Sequence, residues 1–177
     1  VFRRKKYIFF VRNRVLILIK ILFEDEYIVC LDKPSMVLSQ PSFDPKRTPI
    51  KELFEKQRPD LVGRLYLHHR LDFETSGVFL MSKAKEANKP LTEMFAQHDF
   101  KKTYHCLTRP NQLIPGKKVT CAIINDQEWK IENHMAPAKD LIKHKKRMIS
   151  VNKGGWKAET SFQILRTTNL FHYVVAM

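Results

Sequence analysis

Three cysteines, Cys30, Cys106 and Cys121, are all that the 177 residues contain. Their number is odd and their spacing wide, so no pair has metal-ligand spacing and a disulfide framework is not expected. They read as small buried hydrophobes in a reducing compartment. No apolar run approaches the roughly 20 residues that a membrane-spanning helix needs. Basic residues precede an apolar stretch, Val15 to Phe23, but Arg12, Arg14 and Lys20 interrupt that region. No small-residue cleavage site follows, so this stretch does not read as a secretory signal. Internal repeats and low-complexity tracts are also missing. The expectation is a cytoplasmic protein with no membrane partner.

Acidic residues are scarce in two places. Residues 1–20 hold Arg3, Arg4, Lys5, Lys6, Arg12, Arg14 and Lys20 and no acid. Residues 139–157 hold Lys139, Lys143, Lys145, Lys146, Arg147, Lys153 and Lys157 against Asp140 alone. These two stretches carry almost all of the net charge of +14. Charge gathered in this way suits a polyanion-binding surface, with salt-sensitive, sequence-independent affinity for phosphates. Two solvated basic segments without a partner are the plainer alternative. The rest of the composition, 44% hydrophobic and 28% charged, is that of a globular domain rather than a disordered chain.

The length suits one domain with one core. Residues 1–20 read as a basic extension, as an extra strand or helix, and residues 21–177 as the domain itself. The run Tyr27 to Leu31 predicts a buried strand that stops at Pro34. A loop over 35–47 follows. Thr48 is placed to cap a helix with Pro49 in its first turn and Ile50, Leu53 and Phe54 on its apolar face. Leu61 to Leu67 and Val78 to Met81 read as short strands. A second helix is expected over 84–97, with Ala84, Ala87, Leu91, Met94 and Phe95 on one face and a kink at Pro90. Beyond it come a strand at 103–107, a loop over 109–118, short strand-like pieces after 119, a basic loop over 139–147, a Gly154–Gly155 turn, and strands near 158–165 and 170–176. Many strands and two helices out of βαβ order predict an α+β fold with a mixed or antiparallel sheet.

The stretch with most chemistry is His69 to Gly77, HRLDFETSG. It sets the carboxylate Asp72 between Arg70 and a Thr75-Ser76-Gly77 turn. A neighbouring cation such as Arg70 can keep such a carboxylate ionised, and an ionised, positioned carboxylate can act as a nucleophile. Local chemistry alone favours a surface ion pair instead. His68 and His69 point to opposite sides of a strand and make a poor metal pair, so orienting or packing roles suit them better. Trp129 and Trp156 read as core aromatics, with base stacking as the alternative. Lys33, beside Pro34, either meets a phosphate or caps a strand.

HRLDFETSG followed by VFLMSK resembles the hallmark of the RluA-type pseudouridine synthases. The stretch ILFEDEYIVCLDKPS, the helix with Leu91 and Phe95, the Lys102-Thr103-Tyr104 strand and KAETSFQIL at 157–165 are similar to further family stretches in the same order. The resemblance covers about residues 21–177. It implies a pseudouridine synthase fold that isomerises uridine in structured RNA, rRNA or tRNA, without cofactor or metal. It makes Asp72 the nucleophile, attacking the ribose C1′ or the uracil ring. It puts Tyr104 against the target uracil, where stacking suits a neutral phenol better than proton transfer. Arg70 would enter the RNA as the base leaves its stack. His69, Leu71, Thr75, Ser76, Gly77 and Lys102 would line the substrate site. Lys101, Lys143, Lys145, Lys146 and Arg147 are candidate backbone contacts. The protein is expected to be a monomer.

The chain departs from the family pattern in several places. Met36 stands where the family has glycine, Thr108-Arg109-Pro110 where a glycine closes a strand, and Pro90 inside the second helix. No segment resembling GRxHQxR follows, so the domain reads as truncated after Met177. Its missing arginine would leave Asp72 without a cationic neighbour, and weak folding and little activity would follow if the protein ends there. A catalytically inactive RNA-binding fragment or homologue is the alternative reading.

Overall fold

The computed structural model describes residues 8–11, 14–44, 47–108, 120–125, 128–139, 146–151 and 153–177. They fall into two compact units, residues 1–100 and 101–177. The first carries β1 (Ile8–Val11), β2 (Arg14–Ile17), β3 (Lys20–Glu24), β4 (Ile28–Lys33), α1 (Ile50–Gln57), β5 (Tyr66–Leu67), β6 (Gly77–Ser82) and α2 (Lys85–Ala96). β1 and β2 pair as an antiparallel hairpin. The rest of the strands form a four-stranded antiparallel sheet in the order β3-β4-β6-β5.

The sheet forms where the sequence alternates. In β4, Val29, Leu31 and Lys33 face inward, and Phe79 and Met81 of β6 join them. Asp25 shapes the β3–β4 turn: its Oδ1 accepts the backbone N–H groups of Tyr27 at 2.8 Å and Ile28 at 2.7 Å. α1 closes the core with Ile50 and Phe54, one turn apart. Gln57, in its last turn, exchanges two hydrogen bonds with the backbone of Ile19. An ion network ties the same edges. Glu24 meets Arg58 at 2.9 Å and Lys83 at 2.8 Å, and Arg58 also meets Asp60 at 2.8 Å.

Some expectations need correcting. Thr48 does not cap α1. Pro49 occupies the cap position without a side-chain hydrogen bond, and Ile50 donates its N–H to Leu38 O at 2.8 Å instead. The strand expected over Leu61 to Leu67 shrinks to β5, because Pro59–Leu61 form a 3-10 turn and Gly63 takes a φ of 77°. α2 continues through Pro90. Met94 is exposed rather than packed, while Phe95 stacks on Phe100 with ring centres 4.1 Å apart.

The second unit carries β7 (Tyr104–Thr108), β8 (Thr120–Asn125), β9 (Glu128–Lys139), β10 (Lys146–Val151), β11 (Trp156–Thr167) and β12 (His172–Ala176). They form one antiparallel sheet in the order β10-β9-β11-β12-β7, with β8 also on β9. β8 and β10 pair in succession along one edge of β9, and β11 takes the other edge. β10 and β11 therefore lie on opposite edges of β9, and the link between them passes from one to the other. Gly154 and Gly155 make this crossing possible with φ of 71° and 76°. A Cβ on Gly155 would lie 2.5 Å from Met135 O, so only glycine fits. The basic loop expected over 139–147 ends earlier, since Lys146 and Arg147 open β10. Cys30 and Cys106 carry free thiols. Among the described residues no helix is long and apolar enough to cross a membrane. Among the described residues every pairing between named strands is antiparallel, and with two helices the fold is α+β, as the order of elements predicted.

Candidate active site

Residues 68–76 join β5 to β6 as a loop pinned by its backbone. Four successive carbonyls find donors. Leu71 O accepts the Ser39 hydroxyl, and the same hydroxyl accepts the Leu71 N–H at 3.0 Å. Asp72 O accepts the Thr75 N–H at 3.1 Å, closing a turn. Phe73 O accepts the Met36 N–H at 2.8 Å. Glu74 O accepts the Ser35 hydroxyl at 2.7 Å. The segment Ser35 to Ser39 is thus a template for the loop, and it explains why the KPS stretch and the HRLD stretch occur in one protein. Leu71 itself is buried in the core, so its contribution to a site is the placement of Asp72. Gly77 leaves the loop at a φ of 139°, a conformation that other residues rarely adopt.

Against this fixed backbone the carboxylate of Asp72 stands free, with 83% of its side chain exposed. The guanidinium of Arg70, itself 72% exposed, lies 3.8 Å from it. On the inner side is a residue whose role the sequence left open. Lys33 is wholly buried, so it meets no phosphate. Its ammonium donates to Val37 O at 2.7 Å and Pro34 O at 3.1 Å, bracing the template segment. Burial pushes its pKa down, and the charge of Asp72 works against that shift. Asp72 therefore has one cation beside it, Arg70 at 3.8 Å. The sequence signal was the alternation of β4, which turns Lys33 inward with Val29 and Leu31.

The two histidines serve packing. His69 accepts the Leu80 N–H at 2.9 Å and packs its ring on Phe79 and Phe95, at 4.7 and 4.9 Å. His68 bonds Ser82 at 2.8 Å and Thr92 at 3.1 Å, and burial keeps its pKa below the usual value. Together they fasten the start of the loop to β6 and α2. Arg47, absent from the candidates drawn from sequence, lies over the ring of Phe73 at 4.7 Å.

Thr75 is half-buried in the loop and Ser76 exposed. Tyr104 opens β7 opposite Ala176 and is exposed, and Lys101 and Lys102 are exposed just before it. These three belong to the second unit. Lys146 and Arg147 are strand positions of β10, whereas Lys143 and Lys145 lie outside the described residues. Chemically, the loop offers a backbone-held, accessible carboxylate beside an exposed cation, which suits attack on an electrophilic carbon.

The antiparallel α+β scaffold and the HRLD loop on it are features of one protein class, the pseudouridylate synthases. A family model described as RNA pseudouridylate synthase matches residues 27–176, and the chain belongs to that family. It is 32% identical over 99 residues to tRNA pseudouridine synthase C of Pectobacterium carotovorum subsp. carotovorum, covering 56% of this chain and 26% of that protein. It is 31% identical over 144 residues to ribosomal large subunit pseudouridine synthase C of Buchnera aphidicola subsp. Schizaphis graminum, covering 81% and 41%. The chain thus spans well under half the length of these curated relatives. Two solved structures share the fold. Human RNA Pseudouridylate Synthase Domain Containing 1 superposes with a TM-score of 0.65 at 16% identity, over 90% of this chain and 58% of that one. Human RNA Pseudouridylate Synthase Domain Containing 4 gives 0.58 at 21%, over 88% and 57%.

Proposed function

We propose that this chain carries the catalytic loop of an enzyme that isomerises uridine to pseudouridine in RNA, with Asp72 as nucleophile. The observation that supports it most is the contrast within one residue: Asp72 has its backbone fixed by neighbours and its carboxylate open to solvent. Exposure suits a group that must meet a base taken out of its stack. In the reaction the bond between C1′ and N1 breaks, a bond between C1′ and C5 forms, C5 loses its proton, and N1 gains one. No oxidant, metal or cofactor enters that balance. Arg70, exposed beside Asp72, fills the space of the departing base and neutralises phosphate. Tyr104 stacks on the uracil, with Lys101 and Lys102 as backbone contacts.

The names of the relatives point to tRNA or large-subunit rRNA as the substrate class, and we take the enzyme to be cytoplasmic and monomeric. The test is release of tritium from tRNA and from 23S-type rRNA fragments labelled at uridine C5. Release from one of them by the unaltered chain, and none by Asp72→Asn, is the expected result. Equal RNA binding by both chains with no release from either RNA favours the binding-only alternative.

A further inference from the structure

Phe43 is the most exposed large hydrophobic among the described residues, at 109%. The next aromatic, Trp156 at the start of β11, is 64% exposed, and Trp129 is buried against Phe162. A single exposed ring is ordinary. The loop that carries this one is not. Its ends meet where Leu38 bridges Pro49 and Leu38 O accepts the Ile50 N–H at 2.8 Å. Compact surface loops with joined ends are frequently functional. One end rests on the Asp72 loop through Ser39, whose hydroxyl bonds both backbone groups of Leu71. The other rests on it through Arg47, which lies over Phe73 at 4.7 Å. Leu71 and Phe73 are the residues on either side of Asp72. The loop over 39–47 therefore borders Asp72 along the backbone.

This loop also has an internal frame. Asp44 donates its N–H to the Ser42 hydroxyl at 3.2 Å, and its carbonyl accepts the Arg47 N–H at 3.2 Å. Its carboxylate meets Arg47 Nε at 3.1 Å. These contacts hold residues 42, 44 and 47 and leave the Phe43 ring outside them. Arg47 and Asp44 also compensate each other's charge, so the loop offers a partner a bare ring rather than a cation. From Gln40 to Asp44 no other large apolar side chain occurs. The nearest exposed one in sequence, Met36, lies seven positions back. A protein interface buries a patch of many side chains. One isolated ring suits a planar partner that it can cover face to face.

We propose that Phe43 holds the RNA substrate by stacking on an unpaired base that flanks the target uridine. The inference deepens the reading of this chain as an RNA isomerase and rests on it. When the target leaves its stack for Asp72, the neighbouring base loses a stacking partner. A ring at the border of the Asp72 loop replaces that partner. It does so for any base, because every base has a π-face. Arg70 occupies the vacated space within the strand, whereas Phe43 covers a flanking base from outside.

The test pairs anisotropy of fluorescein-labelled tRNA and 23S-type rRNA fragments with tritium release from the same RNAs. Phe43→Ala should weaken binding about tenfold, within the range that stacking on one base supplies, and Phe43→Tyr should restore most of it. The loss should be the same at about 50 and about 200 mM salt, because no phosphate contact is removed. In tritium release, Phe43→Ala should raise KM for the RNA more than it lowers kcat. The melting temperature should stay unchanged, since the ring is exposed. Unchanged RNA affinity in Phe43→Ala overturns the proposal, as does self-association that depends on Phe43 while RNA affinity does not. A melting temperature that falls together with affinity assigns Phe43 to the structure of the loop and overturns it too. If any of these occurs with Asp72-dependent tritium release intact, Phe43 alone fails. Absence of all RNA binding by the unaltered chain overturns both readings.

Discussion

Around the four-stranded sheet, buried hydrophobics from Ile19 to Met81 form one cluster, with Phe54 and Phe79 fully enclosed. In the six-stranded sheet, Trp129, Val174 and Val175 are the buried hydrophobics among the described residues, and one face carries a ladder of lysine and glutamate. The first sheet has an enclosed apolar interior against which the Asp72 loop is anchored through Leu71. The second has few enclosed side chains among its described residues. The two regions thus differ in packing, and substitutions should separate them.

The sharpest contrast is in packing. Phe79→Ala in the first sheet should cost about 3–5 kcal/mol, whereas Ile149→Ala in the second, partly exposed, should cost less than about 1 kcal/mol. Urea denaturation checks both, and equal losses would erase the distinction. Lys33→Ala comes next. It strips the donor from two carbonyls in a dry site and should cost about 2–4 kcal/mol. It should also lower tritium release, because the template for the Asp72 loop loosens. Lys33→Ala with full stability and full activity would remove Lys33 from the account.

A pH effect is smaller. Hydrogen bonds from Arg58, then from Lys83, hold the Glu24 carboxyl below its ordinary pKa of 4.5. A depressed folded-state pKa contributes stability that is present above 4.5 and lost as pH falls through the folded value. Glu24→Gln should therefore cost about 1 kcal/mol near neutral pH, and the gap to the unaltered chain should close on acidification below 4.5. Thermal melts from pH 7 to pH 3 read it, and a gap that widens in acid contradicts the pairing. The smallest effect is at Met36, whose φ of 66° costs about 1 kcal/mol in a residue with a side chain. Met36→Gly should recover up to that amount in a urea titration, with the hydrogen bond to Phe73 kept.

Much of this was legible in the residues. The apolar run of β4, the two amphipathic helices and the HRLDFETSG loop all read directly, and Met36 already stood out against the family pattern in a turn that suits glycine. The failures share a cause, since each depended on contacts distant in sequence. Thr48 looks like a cap until Leu38 O takes the helix N–H. Lys33 looks like a phosphate ligand until Val37 and Pro34 fold over it. Trp129 and Trp156 are indistinguishable as letters. One stacks on Phe162, 33 positions on, and the other sits at a strand end that only the crossing over β9 defines.

The most direct test of the account is Asp72→Asn, with tritium release and melting temperature measured on one preparation. The side chain is exposed and the loop is held by backbone bonds, so stability should change by less than about 0.5 kcal/mol. Removing a nucleophile should lower release at least about a thousandfold. Release that persists, or a melting temperature that falls with it, would contradict the claim that this loop is fixed by its neighbours in order to leave Asp72 free for chemistry.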